Sequence, residues 1–435
     1  MSVKELRTQI EKISDETELQ KKFLAKLRSD KSLLQHQLNA VLDPVARLPP
    51  ETSSNIFLHC LSPVPALDLP PSGACGGPDT YLILLLTVCN AWTTIALSTP
   101  DLWTAIDIIF PCAEGFPEIL ETWLQRARKR PLSILSRGNL DDPSVSAISA
   151  IIWKHGQQLR SLEICADTEN EDTENEEEHG TGHVDLFLGM LKSGPLPLFQ
   201  TLVIRRLLDE SGLLGPLREF SGPQILELLS LAPNLMECTF HDVDCVSGLS
   251  DLDPRPKNLI LPNLCRLSFG PRTAIPNGED GILQCLSVPR LEVLSVSLSN
   301  LSANDLISFL ERSSPPLQEL VISDVSGLIH DIHFHDFLRL LPSLQHFEVW
   351  WPSDDLMTQL SAALEDSFWP NLRDLIIHNL SPTTTLLHTL YARRPQFQTL
   401  RIEMNGPLPV EILSAMRELV ASGIQIYIGT KKFRL

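Results

Sequence analysis

Leu291-Glu292-Val293-Leu294-Ser295-Val296 is the stretch on which the fold of this chain turns. Apolar residues stand at its first, fourth and sixth positions. The same spacing returns in Leu264-Cys265-Arg266-Leu267-Ser268-Phe269, Leu317-Gln318-Glu319-Leu320-Val321-Ile322 and Leu344-Gln345-His346-Phe347-Glu348-Val349. It returns again in Leu372-Arg373-Asp374-Leu375-Ile376-Ile377 and Phe397-Gln398-Thr399-Leu400-Arg401-Ile402. An earlier copy starts at Leu159, and weaker ones start at Phe199 and Leu235. A proline usually stands two residues ahead, as at Pro197, Pro233, Pro262, Pro289, Pro315, Pro342, Pro370 and Pro395. From Leu235 onward the step is 25 to 29 residues. Side chains alternate across an extended strand, so the apolar positions bury inward while the third, fifth and seventh face out. No unit this short buries its own apolar face, so neighbours must stack. Ala303 to Arg312 and Asp354 to Leu364 read as helices between strands, with Ser302 and Ser353 as N-caps.

This period and core resemble leucine-rich repeats. The resemblance implies an irregular α/β solenoid over 159–435, with a parallel sheet on its concave face and helices on its convex face. The longer early steps mark insertions. One of them, 167–182, opens with Asp167 to Glu178, which holds eight acidic residues and no basic one, and disorder is expected there. Residues 409–435 read as a cap, with a helix from Pro409 to Ala421 and a strand from Ile424 to Ile428. Residues 105–158 read as a connecting α/β segment with a first repeat-like unit.

Ahead of the repeats, 44–104 carry a second pattern. Leu48-Pro49-Pro50-Glu51 marks a helix start, where a proline costs nothing. Ile56, Phe57, Cys60 and Leu61 then recur at helical spacing, which predicts one apolar face. Val88, Cys89, Trp92, Ile95 and Ala96 predict a second helix. About fifty residues are too few to bury that much apolar surface alone. The segment resembles an F-box, the module by which substrate receptors join Skp–cullin–F-box ubiquitin ligases. The resemblance implies three helices that dock on the Skp adaptor, and through it on a cullin. Leu48, Pro49, Glu51, Ile56, Phe57, Leu61 and Val88 would meet the adaptor, and Cys89 and Trp92 would form the module's core. Two features depart from the family: Thr52 stands where Ile or Leu is usual, and Pro63 to Asp79 is a Pro- and Gly-rich insertion.

Residues 1–43 predict one long polar helix. Leu6, Ile10, Ile13, Leu24, Leu27, Leu34, Leu38 and Val41 follow alternating three- and four-residue steps, interrupted by Thr17, Gln20 and Lys31. That is a broken coiled-coil seam over 3–42, pointing to a homodimer or a helical partner, or else to a single amphipathic helix packed back on the F-box or left solvated.

Composition narrows the rest. The 435 residues suffice for two or three units, and 43% are hydrophobic, as in ordinary soluble proteins. A net charge of −19 speaks against nucleic acid and against anionic membrane surfaces. The nine cysteines stand singly with no CxxC pair, which suits reduced thiols. Met1-Ser2-Val3-Lys4-Glu5 has no signal core, and the apolar run Tyr81 to Leu86 is too short to span a bilayer, so cytoplasm or nucleus is expected. No phosphate loop, nucleophile elbow or dinucleotide fingerprint occurs. The His330–Asp336 stretch and the group Cys238, His241 and Cys245 read as loop and core rather than metal sites. No metal, cofactor or catalytic residue is therefore expected.

The outward positions near the C-terminus are the better place to seek function: His346, Glu348, Trp350, Asp374, His378, Arg401 and Glu403. An outward Trp350 suggests an anchor for a protein substrate, with charged neighbours selecting it. The expected function is substrate recognition within a ubiquitin ligase, with no catalysis by this chain. The alternative is a non-ligase repeat scaffold that self-associates through its N-terminal helix.

Overall fold

The structure, a computed structural model, describes residues 3–60, 80–140, 142–167, 194–207, 222–241, 258–269, 281–297, 303–323, 337, 339–365, 369–380, 398–404, 417, 421 and 425–429. Two compact units result, Met1–Asp107 with Glu118–Arg130, and Ile108–Pro117 with Pro131–Leu435. The segment 105–158 is thus shared between them.

The first unit begins with α1 (Val3–Leu42), followed by α2 (Pro50–Cys60), α3 (Thr80–Val88) and α4 (Asn90–Ser98). The α1 stretch lacks Gly and Pro and is rich in Lys, Glu, Gln and Leu, the good helix formers. Asn39 near its end donates from Nδ2 to the Val88 carbonyl at 2.7 Å, tying that end to α3. The expected single helix from Val88 to Ala96 is broken in two. Cys89 is extended (φ −160, ψ 167) and fully buried, and α4 starts after it. The turn lets α4 pack back on α3, and Leu82, Leu85, Ile95 and Ala96 are buried with it. A 3-10 turn, Pro100–Trp103, then buries Trp103, whose indole N–H donates to the Ala96 carbonyl at 2.9 Å. Trp123 of α5 (Phe116–Ala127) meets that ring edge-on at 5.1 Å, and the Arg126 guanidinium covers it at 4.6 Å.

The second unit is α/β, built on a large parallel sheet. Its strands are β1 (Ala105–Phe110), β2 (Leu132–Gly138), β3 (Leu159–Asp167), β4 (Thr201–Leu207), β5 (Glu237–His241), β6 (Leu259–Ile260), β7 (Arg266–Phe269) and β8 (Leu286–Ser287). They continue with β9 (Val293–Ser297), β10 (Glu319–Ser323), β11 (His346–Trp350), β12 (Asp374–Leu380), β13 (Thr399–Met404) and β14 (Gln425–Gly429). Among the described residues twelve strands form one sheet in chain order, while β6 and β8 pair separately. The sheet therefore takes in β1 and β2, which lie ahead of the expected start at 159. Helices α6 (Ser144–Lys154), α7 (Gly222–Leu231), α8 (Gly281–Cys285), α9 (Ala303–Ser313) and α10 (Asp354–Glu365) fall between strands. Ser353 caps α10, accepting from the Leu356 N–H at 3.2 Å.

Parallel register stacks the fourth repeat positions into one row: Leu162, Leu202, Cys238, Leu267, Leu294, Leu320, Phe347, Leu375 and Leu400. All nine are buried. Each removes roughly 1.5–3 kcal/mol of apolar exposure from water. Burial also pushes the Cys238 thiol pKa up, as for a core residue. A backbone ladder runs beside this row. Gln200 N–H donates to Arg160, Met236 to Gln200, Cys265 to Met236 and Glu292 to Cys265; Gln318, Gln345, Arg373 and Gln398 repeat the step, all at 2.8–2.9 Å. Asparagines add side-chain rungs, Asn234 to the Pro197 carbonyl, Asn263 to Pro233 and Asn371 to Pro342, at 2.9–3.2 Å. The regular prolines thus supply acceptors to the next unit.

Among the described residues no helix is long and apolar enough to cross a membrane. Ser302, the acidic run after Asp167, the His330–Asp336 stretch and most of Pro409–Ala421 lie outside the described residues.

Candidate functional site

Two surfaces carry the residues singled out from the sequence. The first is on the helical unit. Leu48 and Ile56 are exposed at 40% and 37%, and Pro49 and Glu51 beside them are exposed too. Phe57 is not on this face. It is 1% exposed and packs on the half-buried Trp92, ring centroids 4.8 Å apart. Consecutive helical residues point about 100° apart, and here the turn of α2 carries Phe57 onto Trp92 while Ile56 stays exposed. Phe57 therefore moves from the docking set to the module's core, beside Cys89 and Trp92. Val88 is half-buried at the end of α3, and Leu61 lies outside the described residues. Ile83, Leu84 and Leu97 add exposed apolar surface in the same unit. The signal for the first two is the run Leu82-Ile83-Leu84-Leu85-Leu86, in which Leu82 and Leu85 take the inward side and leave Ile83 and Leu84 exposed.

The second surface lies on β11, β12 and β13, where register sets Glu348 by Ile376 and Arg401, and Trp350 by His378. His378 is buried. Its Nε2 lies 3.0 Å from Glu348 Oε1 and its Nδ1 lies 2.7 Å from Glu403 Oε2. The Trp350 indole donates to Glu348 at 2.5 Å, and Arg401 donates to Glu403 at 2.6 Å. His346 stands 3.7 Å from Glu348 and 3.8 Å from Asp374.

These contacts set the charges. Burial pushes the Glu348 carboxyl up, but the polar contacts of His346, His378 and Trp350 and the charge of His378 outweigh it, leaving a pKa of about 2. Glu403 is lowered in the same way: burial raises it, and His378 and Arg401 more than compensate. His346 is raised, chiefly by Glu348, against the opposing effect of burial, with Glu319 and Asp374 adding to the rise.

Sequence reasoning placed seven residues here, and the structure brings all seven together. It also changes their roles. Trp350 is half-buried, flat against His378 and close to Trp351 at 5.5 Å. His378 has a carboxylate oxygen within hydrogen-bond distance of each ring nitrogen, which ties the ring to both neighbouring strands. The arrangement suits recognition by a fixed pattern of charge, presented by the exposed Arg401 and the half-buried His346, Asp374 and Trp350. Ser323, aligned with Trp350 and fully buried, was not foreseen; a lone serine in a repeat gives no sequence signal. At the other end of the sheet Glu163 pairs with Arg205. Between the two charged groups the corresponding outward positions are Thr239, Ser268, Ser295 and Val321.

No protein-family model matches the chain, and no curated protein matches it.

Proposed function

We propose that this chain is the substrate-recognition subunit of a Skp–cullin–F-box type ubiquitin ligase. In this reading 44–104 are the F-box, and Leu48, Pro49 and Ile56, with Glu51 and Val88 at the margins, dock on the Skp adaptor. Phe57, Cys89 and Trp92 hold the module together beneath them. The later units form an irregular leucine-rich-repeat solenoid. Its concave sheet face offers His346, Glu348, Trp350, Asp374, His378, Arg401 and Glu403 to a protein substrate in the cytoplasm or nucleus. The other ligase subunits carry the chemistry. This chain supplies proximity, which raises the effective concentration of an acceptor lysine near activated ubiquitin.

The observation that carries the reading is the exposed set Leu48, Pro49 and Ile56 over a closed Phe57–Trp92 core. Apolar side chains left exposed beside a packed aromatic pair are what a docking surface requires. The test is co-expression of the full chain with a Skp adaptor. Co-elution of the two, lost on Ile56→Asp with folding retained, is the expected result. A wild-type chain that elutes without the adaptor ends the proposal.

A further inference from the structure

Helix α1 is 40 residues long, about 60 Å at the usual rise. Every described side chain from Val3 to Gln35 is exposed. Its apolar residues lie open, Ile10, Ile13 and Leu34 at 62%, 62% and 65%. Its described ion pairing is confined to an exposed Lys21–Glu18 contact at 3.5 Å, too little to hold a solitary helix. Such a helix needs a companion.

Its heptad register runs without a skip, although Thr17, Gln20 and Lys31 interrupt the apolar seam. With Val3 at position a, the a series is Val3, Ile10, Thr17, Leu24, Lys31 and Leu38. The d series is Leu6, Ile13, Gln20, Leu27, Leu34 and Val41. The flanks are sorted by charge. The e positions hold Arg7, Lys21 and Arg28 and no acid; the g positions hold Glu16 and Asp30 and no base. A parallel pair in register sets each g against the e of the next heptad in the other chain. Glu16 then meets Lys21, and Phe23 meets the guanidinium of Arg28. Lys31, at an a position, reaches Asp30 at the adjoining g. An antiparallel pair would instead set base against base and acid against acid.

We infer that residues 3–42 join two copies of this chain as a parallel, in-register coiled coil. The seam is complementary to itself, so the occupant is a second copy rather than a foreign helix. The polar layers at Thr17, Gln20 and Lys31 fix alignment at some cost in affinity. The inference is independent of adaptor docking.

Sedimentation equilibrium of the full chain at tens of micromolar tests it. The expected mass is twice the 48.5 kDa of one chain. Leu24→Asp with Leu27→Asp raises the dimer dissociation constant more than about a hundredfold. Thermal unfolding of the sheet unit stays unchanged in that variant. Glu16→Lys or Lys21→Glu alone weakens the dimer about threefold or more, and the two combined in one chain restore it. A monomeric wild type overturns the inference, as does a dimer that survives the Leu24 and Leu27 changes. A combined variant as weak as either single one overturns the parallel register.

Discussion

Trp350 and His378 lie face to face on neighbouring strands, ring centroids 3.7 Å apart and planes 18° from parallel. The imidazole is clamped edgewise by Glu348 and Glu403 and covered on one face by the indole. Four side chains from three strands therefore act as one unit, and removing the central ring should be felt by all of them.

His378→Ala takes the bridging ring away and leaves two partly buried carboxylates without it. We expect a loss of about 2–4 kcal/mol in unfolding free energy. Chemical denaturation followed by tryptophan fluorescence measures it. An unchanged midpoint would mean that the cluster is ornamental.

The cluster also predicts how stability varies with pH. Glu348 is held at about 2 against an ordinary 4.5, and Glu403 is lowered too. Their contribution is present above their unfolded values and is lost as pH falls below about 4.5, that of Glu348 down to about 2. His346 is raised above 6.5, so its contribution is present below that value and is lost as pH rises through the raised one. The sheet unit should be most stable between about pH 4.5 and 6.5. Denaturation midpoints across this range give the profile, and Glu348→Gln should flatten its acid limb.

Neighbouring positions on α2 should behave oppositely. Phe57→Ala empties a buried site against Trp92 and should cost about 3–5 kcal/mol. Ile56→Ala, on the exposed side, should change stability by less than about 1 kcal/mol while weakening adaptor capture. Melting curves paired with adaptor pull-downs separate the two. Equal destabilisation would contradict the assignment of faces.

Gly138 ends β2 with φ +106, and a Cβ there would sit 2.2 Å from the Phe110 carbonyl oxygen. Gly138→Ala combines backbone strain with that clash and should destabilise by about 2–3 kcal/mol or more. Thermal unfolding of the purified variant checks this.

Much of the strand pattern was legible because burial has a simple period. Leu291, Leu294 and Val296 announce an inward row, and the sheet registers that row as read. The positions His346 to Glu403 could be grouped for the same reason, since parallel strands bring equal repeat positions side by side. Two things were not legible. The break at Cys89 depends on how α4 folds onto α3, and Val88 to Ala96 keeps helical spacing on both sides of it. The split between Ile56 and Phe57 depends on which side meets Trp92, and both residues are equally apolar. The sequence shows that α2 has greasy side chains; packing decides which are already used.

The amide ladder from Arg160 to Gln398 has a consequence for how this chain can change over generations. Each rung joins adjacent strands through backbone atoms alone. A substitution other than to proline keeps the amide and the carbonyl, and so keeps its rung. The outward letters can therefore be rewritten one at a time while the spine stays in print.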